Sequence, residues 1–140
     1  MPRNGLVVNS DGVKYWYRNG RLHRDGGGPA IIYADGSKRW YRNGRLHRDG
    51  DEPAAINSDG SKFWFRNGQF HRDGGKPAAI YADGSKFWYR DGQLHREGGE
   101  PAAINANGTR EYWINGEQWK ELPNGMLGLG IMMIRKATDD

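Results

Sequence analysis

Asp-Gly or Asn-Gly recurs at Asp11-Gly12, Asp35-Gly36, Asp59-Gly60, Asp83-Gly84 and Asn107-Gly108, at a constant step of 24 residues. Self-similarity at a fixed step of this size means a stack of small supersecondary units, none of which buries its apolar face alone. Four copies, starting at Asp11, Asp35, Asp59 and Asp83, nearly superimpose, and the third reads DGSKFWFRNGQFHRDGGKPAAIYA. The chain therefore divides into a capping strand at 1–10, four repeats at 11–106, a degenerate fifth at 107–121 that keeps Asn107-Gly108 and Asn115-Gly116, and an apolar tail at 122–140. Leu6 to Ser10 matches only the closing part of a repeat, as expected where the end face of an array must be capped.

Each copy carries two hairpin signals. Asn-Gly and Asp-Gly both supply the positive φ of two-residue turns. Counting outward from Asn67-Gly68 pairs Arg66 with Gln69, Phe65 with Phe70 and Trp64 with His71. Treating Asp59-Gly60 in the same way pairs Ser58 with Ser61, Asn57 with Lys62 and Ile56 with Phe63. Side chains alternate along a strand, so Ile56, Phe63, Phe65 and Phe70 are expected on one face and Asn57, Lys62, Trp64, Arg66 and His71 on the other. The apolar face recurs as Tyr15, Tyr17 and Leu22, as Tyr41 and Leu46, and as Phe87, Tyr89 and Leu94, with Arg39 standing where the other copies have an aromatic. The second face carries Trp16, Trp40, Trp64 and Trp88, opposite His23, His47, His71 and His95.

Arg-Asp-Gly-Gly-x-Pro, as at Arg72 to Pro77, interrupts the second strand of each copy. Proline gives a ladder no amide hydrogen, which predicts a bulged loop and leaves two strands per repeat. The fold class is all-β: an elongated antiparallel β-hairpin array with capped ends. Equivalent residues of neighbouring copies then lie about 9.6 Å apart, two interstrand steps of ~4.8 Å.

The pattern aromatic-x-Asn-Gly-x-x-His-x-x-Gly is met by Tyr41, Asn43, Gly44, His47 and Gly50, and by Phe65, Asn67, Gly68, His71 and Gly74, with Tyr81-Ala82-Asp83-Gly84-Ser85 following. Over residues 11 to about 116 it resembles the MORN (membrane occupation and recognition nexus) repeat, in a divergent form. Tyr17, Tyr41, Phe65 and Tyr89 hold that repeat's usual Trp position, its Tyr-x-Gly is absent, and Gly-x-Pro-Ala is added. The resemblance implies a hairpin array used for scaffolding and for protein or membrane contacts, and it implies no catalytic residues.

The chemistry of the repeated residues points the same way. With no cysteine there is neither a disulfide framework nor a thiolate metal site. Histidines ~9.6 Å apart cannot share a zinc ion, whose ligand nitrogens stand ~2.1 Å from it, so no metal and no cofactor is expected, and each His is expected to pack against its cross-strand Trp. A catalytic centre is single, whereas every candidate here recurs four times; the chain reads as a non-enzyme. The binding residues expected are Trp16, Trp40, Trp64, Trp88, His23, His47, His71, His95, Arg18, Arg42, Arg66 and Arg90, since exposed Trp and Arg concentrate binding energy at interfaces.

Asp25, Asp49, Asp73 and Glu97 beside the Arg row also allow a row of internal ion pairs. A protein partner is the leading expectation. The alternatives are single-stranded nucleic acid, with Trp stacking bases and Arg meeting phosphates, and an acidic lipid surface. The near balance of 21 basic and 17 acidic residues favours protein. The tail from Met126 to Ile134 has no charge and is too short to cross a bilayer; it reads as an apolar cap, or as a strand for homodimer pairing, for which an open sheet edge is the other route. No apolar stretch of signal-peptide or membrane-span length occurs, which places the protein in the cytoplasm as an expectation.

Overall fold

The computed structural model describes residues 2–130 and 132–137; Ile131 of the apolar tail lies outside them. The described residues contain no α-helix. Their strands form one long, open antiparallel sheet of fourteen strands, with three two-stranded hairpins beside it, Tyr41–Arg42 with Arg45–Leu46, Phe65–Arg66 with Gln69–Phe70, and Tyr89–Arg90 with Gln93–Leu94. Thirteen stand in a single line: Gly5–Val8, Lys14–Arg18, Ile31–Ile32, Lys38–Arg39, Ala55–Ile56, Lys62–Phe63, Ala79–Ile80, Lys86–Phe87, Ala103–Ile104, Arg110–Ile114, Glu117–Glu121, Met126–Leu129 and Met132–Arg135. Each repeat adds two strands to this line, as expected from its two turns and one bulge. Substantial contacts between elements are confined to ladder neighbours, so stability is built up locally, repeat against repeat.

The bulge has a simple construction. In the third copy, Lys62–Phe63 and Phe65–Arg66 are two pieces of one strand hinged at Trp64, and two separate segments oppose them. Phe65 and Arg66 pair with Phe70 and Gln69, while Phe63 and Lys62 pair with Ala79 and Ile80. At the hinge, the Trp64 amide donates to the Ala78 carbonyl at 2.7 Å and the Trp64 carbonyl accepts the His71 amide at 3.1 Å. Residues between His71 and Ala78 are therefore looped out of the ladder, and the proline falls where no ladder amide is needed.

The two turns differ, and one corrects the expected register. Asn67 and Gly68 both have positive φ, at 49° and 83°, which defines the two-residue turn and keeps Phe65 opposite Phe70. At Asp59-Gly60 only the glycine is left-handed, at φ 94°. Gly60 donates to the Asn57 carbonyl at 2.9 Å, Asn57 donates to Ser61 at 2.9 Å, and the Asp59 carboxylate accepts the Ser61 amide at 2.8 Å. The loop therefore holds three residues, and Ile56 pairs with Lys62 while Ala55 pairs with Phe63. A shift of one residue exchanges faces, so Ile56 moves to the side of Lys62, and Asn57 joins Phe63. The preference of Asp for bonding its own backbone two residues on is what selects this loop.

Two sets of hydrogen bonds fasten each repeat to the next, and a third fastens successive Asp-Gly turns from Asp35 onward. The turn glycine donates to the preceding hairpin, as Gly44 to Leu22, Gly68 to Leu46, Gly92 to Phe70 and Gly116 to Leu94, at 2.8–2.9 Å. The residue before it donates to a histidine ring: Asn43 to His23 Nδ1, Asn67 to His47, Asp91 to His71 and Asn115 to His95, at 2.9–3.1 Å. At the other end of the strands, the buried hydroxyls of Ser37, Ser61 and Ser85 accept the amides of Ser58, Ala82 and Ala106, at 2.9–3.0 Å.

Both ends imitate these contacts. The Gly20 amide donates to the Arg3 carbonyl at 2.8 Å and the Asn19 amide to Asn4 Oδ1 at 2.9 Å, so the Asn4 side chain takes the place that a histidine holds between full repeats. At the C-terminal end, Trp119 occupies the histidine position and forms a cluster with Tyr112 and Leu127, against which Ile114, Leu129 and Ile134 pack. The tail then reaches back: Ala137 donates to the Gly99 carbonyl at 2.8 Å, and Lys136 pairs with Glu121.

Candidate functional site

The Trp-His-Arg residues do come together on one side of the sheet, but most of them are buried. Trp40, Trp64 and Trp88 are 7–8% exposed and the four histidines likewise; only Trp16, beside the loopless N-terminal cap, is half-buried. Each histidine lies across from its Trp through the backbone, at 3.0–3.1 Å. What covers the indole is the following arginine: Arg24 over Trp16, Arg48 over Trp40, Arg72 over Trp64 and Arg96 over Trp88, each with its guanidinium carbon 3.8–4.0 Å from the ring centroid. The same arginines donate to the proline carbonyl that closes their loop, at 3.0–3.2 Å. Cation–π attraction and a satisfied carbonyl thus lock each bulge onto its Trp. The sequence-based binding set holds the neighbouring arginine row and misses this one; the constant Trp-to-Arg offset of eight residues is the signal.

Both histidine nitrogens are engaged. Nδ1 accepts the amide of the next repeat, which leaves Nε2 to carry the proton and donate to the acid two residues on: His23 to Asp25 at 2.9 Å, His47 to Asp49 at 2.8 Å, His71 to Asp73 at 2.7 Å and, more loosely, His95 to Glu97 at 3.4 Å. The histidine bond is the main influence holding Asp25, Asp49 and Asp73 below the ordinary carboxylate range; for Glu97 the Arg90 bond comes first. A His-carboxylate pair is two-thirds of a nucleophile-activating triad, yet here the nitrogen that would take a proton from a hydroxyl is filled by a backbone amide. Among the described residues no group of three or more His, Asp or Glu is placed to hold a metal ion.

The predicted arginine row is half-exposed and internally paired. Arg18, Arg42, Arg66 and Arg90 meet Asp25, Asp49, Asp73 and Glu97 of their own repeats at 2.8–3.5 Å. They also reach Asn43, Asn67, Asp91 and Asn115 in the next turn, at 2.9–3.4 Å. The row is a set of braces between repeats.

The second repeat breaks the pattern in one place. Trp40 and Trp88 donate through Nε1 to the carbonyls of Gly27 and Gly75 in the preceding loop, at 3.0 Å. The matching position for Trp64 is Asp51, which lacks the left-handed conformation of Gly27 and Gly75, and Trp64 Nε1 is buried without a partner among the described residues. The Asp51 carboxylate instead grips Arg72 at 2.8 Å and Lys76 at 2.9 Å, which holds it far below its ordinary range.

The opposite side of the sheet is chemically different. Phe63, Phe65, Phe70, Tyr81, Phe87 and Tyr89 form a connected group of rings with centroids 4.2–6.1 Å apart. Five of the rings are half-buried and Tyr81 is exposed. Partial burial pushes the Tyr41 and Tyr89 hydroxyls above their ordinary range. Tyr81 belongs to this group because of the three-residue turn; a two-residue turn would put its position on the Trp side. No protein family and no curated protein matches the chain.

Proposed function

We propose that this protein is a non-enzymatic binding and scaffolding module for a protein partner, with the aromatic face as its contact surface. The observation that carries this reading is the six-ring group linked through Phe70 and Tyr81, half-exposed on a single-layer sheet. Aromatic side chains give large contact area at low entropic cost and dominate interface energetics. The Trp-His-Arg side is a poorer surface, because its indoles and imidazoles are already consumed in joining repeats. The MORN-like repeat pattern supports the same class of function.

Single-stranded nucleic acid is the rival. Bases need free aromatic faces and phosphates need free cations; the Trp rings are covered by arginine and the exposed arginines of the brace row are paired with carboxylates. No described helix is long and apolar enough to cross a membrane. The test is a pull-down with the immobilised chain, with and without nuclease, comparing wild type with Tyr81→Lys. A protein retained after nuclease and lost with Tyr81→Lys supports the reading. Tight binding of a random single-stranded oligonucleotide, weakening with salt at a log–log slope of about −0.7 per phosphate contact, would overturn it.

A further inference from the structure

One line of the sheet crosses the aromatic face; it starts at Val7 and passes Tyr15 and Ile31, and from Arg39 onward it runs through six successive register pairs: Arg39 with Ala55, Ala55 with Phe63, Phe63 with Ala79, Ala79 with Phe87, Phe87 with Ala103, and Ala103 with Glu111. Read from either end of the stretch between Arg39 and Glu111, the order is charge, alanine, phenylalanine, alanine, phenylalanine, alanine, charge, and the two end charges are opposite. Tyr81, two residues beyond the central Ala79, stands on the same face between Phe63 and Phe87, at ring distances of 5.2 and 5.5 Å. Asn57 and Asn105 flank it symmetrically. Asn57 Oδ1 accepts from Arg39 at 2.6 Å, and Asn105 Nδ2 donates to Glu111 at 3.4 Å.

A pattern that reads the same in both directions apart from a reversal of charge is self-complementary under a two-fold rotation. We infer that the aromatic face takes a second copy of this chain, face to face, about a two-fold axis parallel to the strands and passing beside Ala79 and Tyr81. This rests on the reading of the aromatic face as a contact surface and names its occupant. Rotation about that axis reverses the stacking direction and preserves position along the strand. It sets Arg39 against Glu111 of the other copy and Phe63 against Phe87, each contact made twice, and Tyr81 against Tyr81 once, on the axis, as an isologous interface requires. The stretch from Arg39 to Glu111 spans six interstrand steps, about 29 Å at ~4.8 Å each.

The end charges are placed for this role. No salt bridge among the described residues joins Arg39 or Glu111 to an opposite charge. Arg39 is held by neutral acceptors, Asn57 and the Lys38 carbonyl at 2.9 Å, while Glu111 accepts from Asn105 and, at 3.3 Å, from Trp113 Nε1. Asp35, which feels the Arg39 charge, is taken up chiefly by Ser37 and by Ser58. The arginines of the brace row, by contrast, each meet a carboxylate. In the row of equivalent positions Tyr15, Arg39, Phe63, Phe87 and Glu111, the aromatic gives way to a cation at one place and to an anion at one other.

Charge reversal tests the geometry directly, by sedimentation equilibrium of the full chain. Wild type is expected to be a dimer at micromolar concentration. Arg39→Glu, which sets two carboxylates together at each end, and Glu111→Arg, which sets two cations together, should each dissociate at least tenfold more readily. An equimolar mixture of the two variants should recover association close to wild type. In the mixed dimer, the carboxylate introduced by Arg39→Glu meets the guanidinium introduced by Glu111→Arg at one end, and the native Arg39 and Glu111 meet at the other. Recovery on mixing excludes misfolding as the cause of the single losses. The inference is overturned by a wild type that stays monomeric at hundreds of micromolar, by single variants that dimerise as wild type does (the result expected of edge-to-edge strand pairing), or by a mixture that remains monomeric. A monomeric wild type that still captures a nuclease-resistant protein, lost with Tyr81→Lys, would overturn the dimer while leaving the binding-module reading in place.

Discussion

His47 accepts the amide hydrogen of Asn67, twenty residues on, at 3.0 Å through Nδ1, and donates its own Nε2 hydrogen to Asp49 at 2.8 Å. One buried ring thus joins a repeat to its successor and also orients an acid within its own loop. His47→Phe keeps much of the volume but strands the Asn67 amide, and a buried donor without an acceptor costs about 1–3 kcal/mol. Chemical denaturation should show a loss of that size, and hydrogen exchange at Asn67 should quicken more than at Asn19, whose amide is held by Asn4.

Acid should loosen the same joints. Asp25, Asp49, Asp73 and Glu97 are all lowered in the folded protein from ordinary values of 3.8 for Asp and 4.5 for Glu. A lowered carboxylate contributes stability that is present above its unfolded pKa and is lost as pH falls through its folded one. The melting midpoint is therefore expected to fall steepest below about pH 4. In Asp73→Asn that decline should be shallower, with lower stability at neutral pH; an unchanged pH profile would count against the His71–Asp73 pair.

Three chemically identical substitutions should differ in effect. Trp40→Phe and Trp88→Phe each remove an indole donor that satisfies a glycine carbonyl, whereas Trp64 Nε1 has no partner among the described residues to lose. With similar ring loss at all three sites, Trp64→Phe should cost less than the other two by about 0.5–1.5 kcal/mol, the net worth of one hydrogen bond. Parallel urea titrations of the three variants measure the difference.

The serine joints give a fourth expectation. Ser61 is 2% exposed and its hydroxyl accepts the Ala82 amide of the next turn at 3.0 Å. Ser61→Ala removes that acceptor and should destabilise by about 1–3 kcal/mol, without altering the far-ultraviolet dichroism. Val13 holds the corresponding place in the first repeat and offers no hydroxyl, so Val13→Ser is expected to be neutral or mildly stabilising in the same assay.

Much of the architecture is legible in the sequence, for local reasons. The 24-residue step, the two strands per repeat, the bulge at the proline and the Phe65–Phe70 register follow from turn chemistry acting over a few residues. Asn67-Gly68, with both residues at positive φ, admits one loop geometry and thereby one register. Asp59-Gly60 admits two loop lengths, and the choice rests on the Asp59 side chain bonding Ser61; turn counting alone puts Ile56 and Asn57 on the wrong faces for that reason.

Contacts between repeats belong to the tertiary structure. A recurring Trp, His and Arg announce that something repeats, but whether they face a partner or the neighbouring copy depends on how closely consecutive hairpins stack. Stacking brings each His ring to the next turn's amide and each Arg over its own Trp, so side chains that read as a surface in the sequence are the joints of the array. The rings left over, from Phe63 to Tyr89, are visible in the sequence as an apolar face; their grouping around Tyr81, between the charges of Arg39 and Glu111, was decided only when the register set these distant residues on one line.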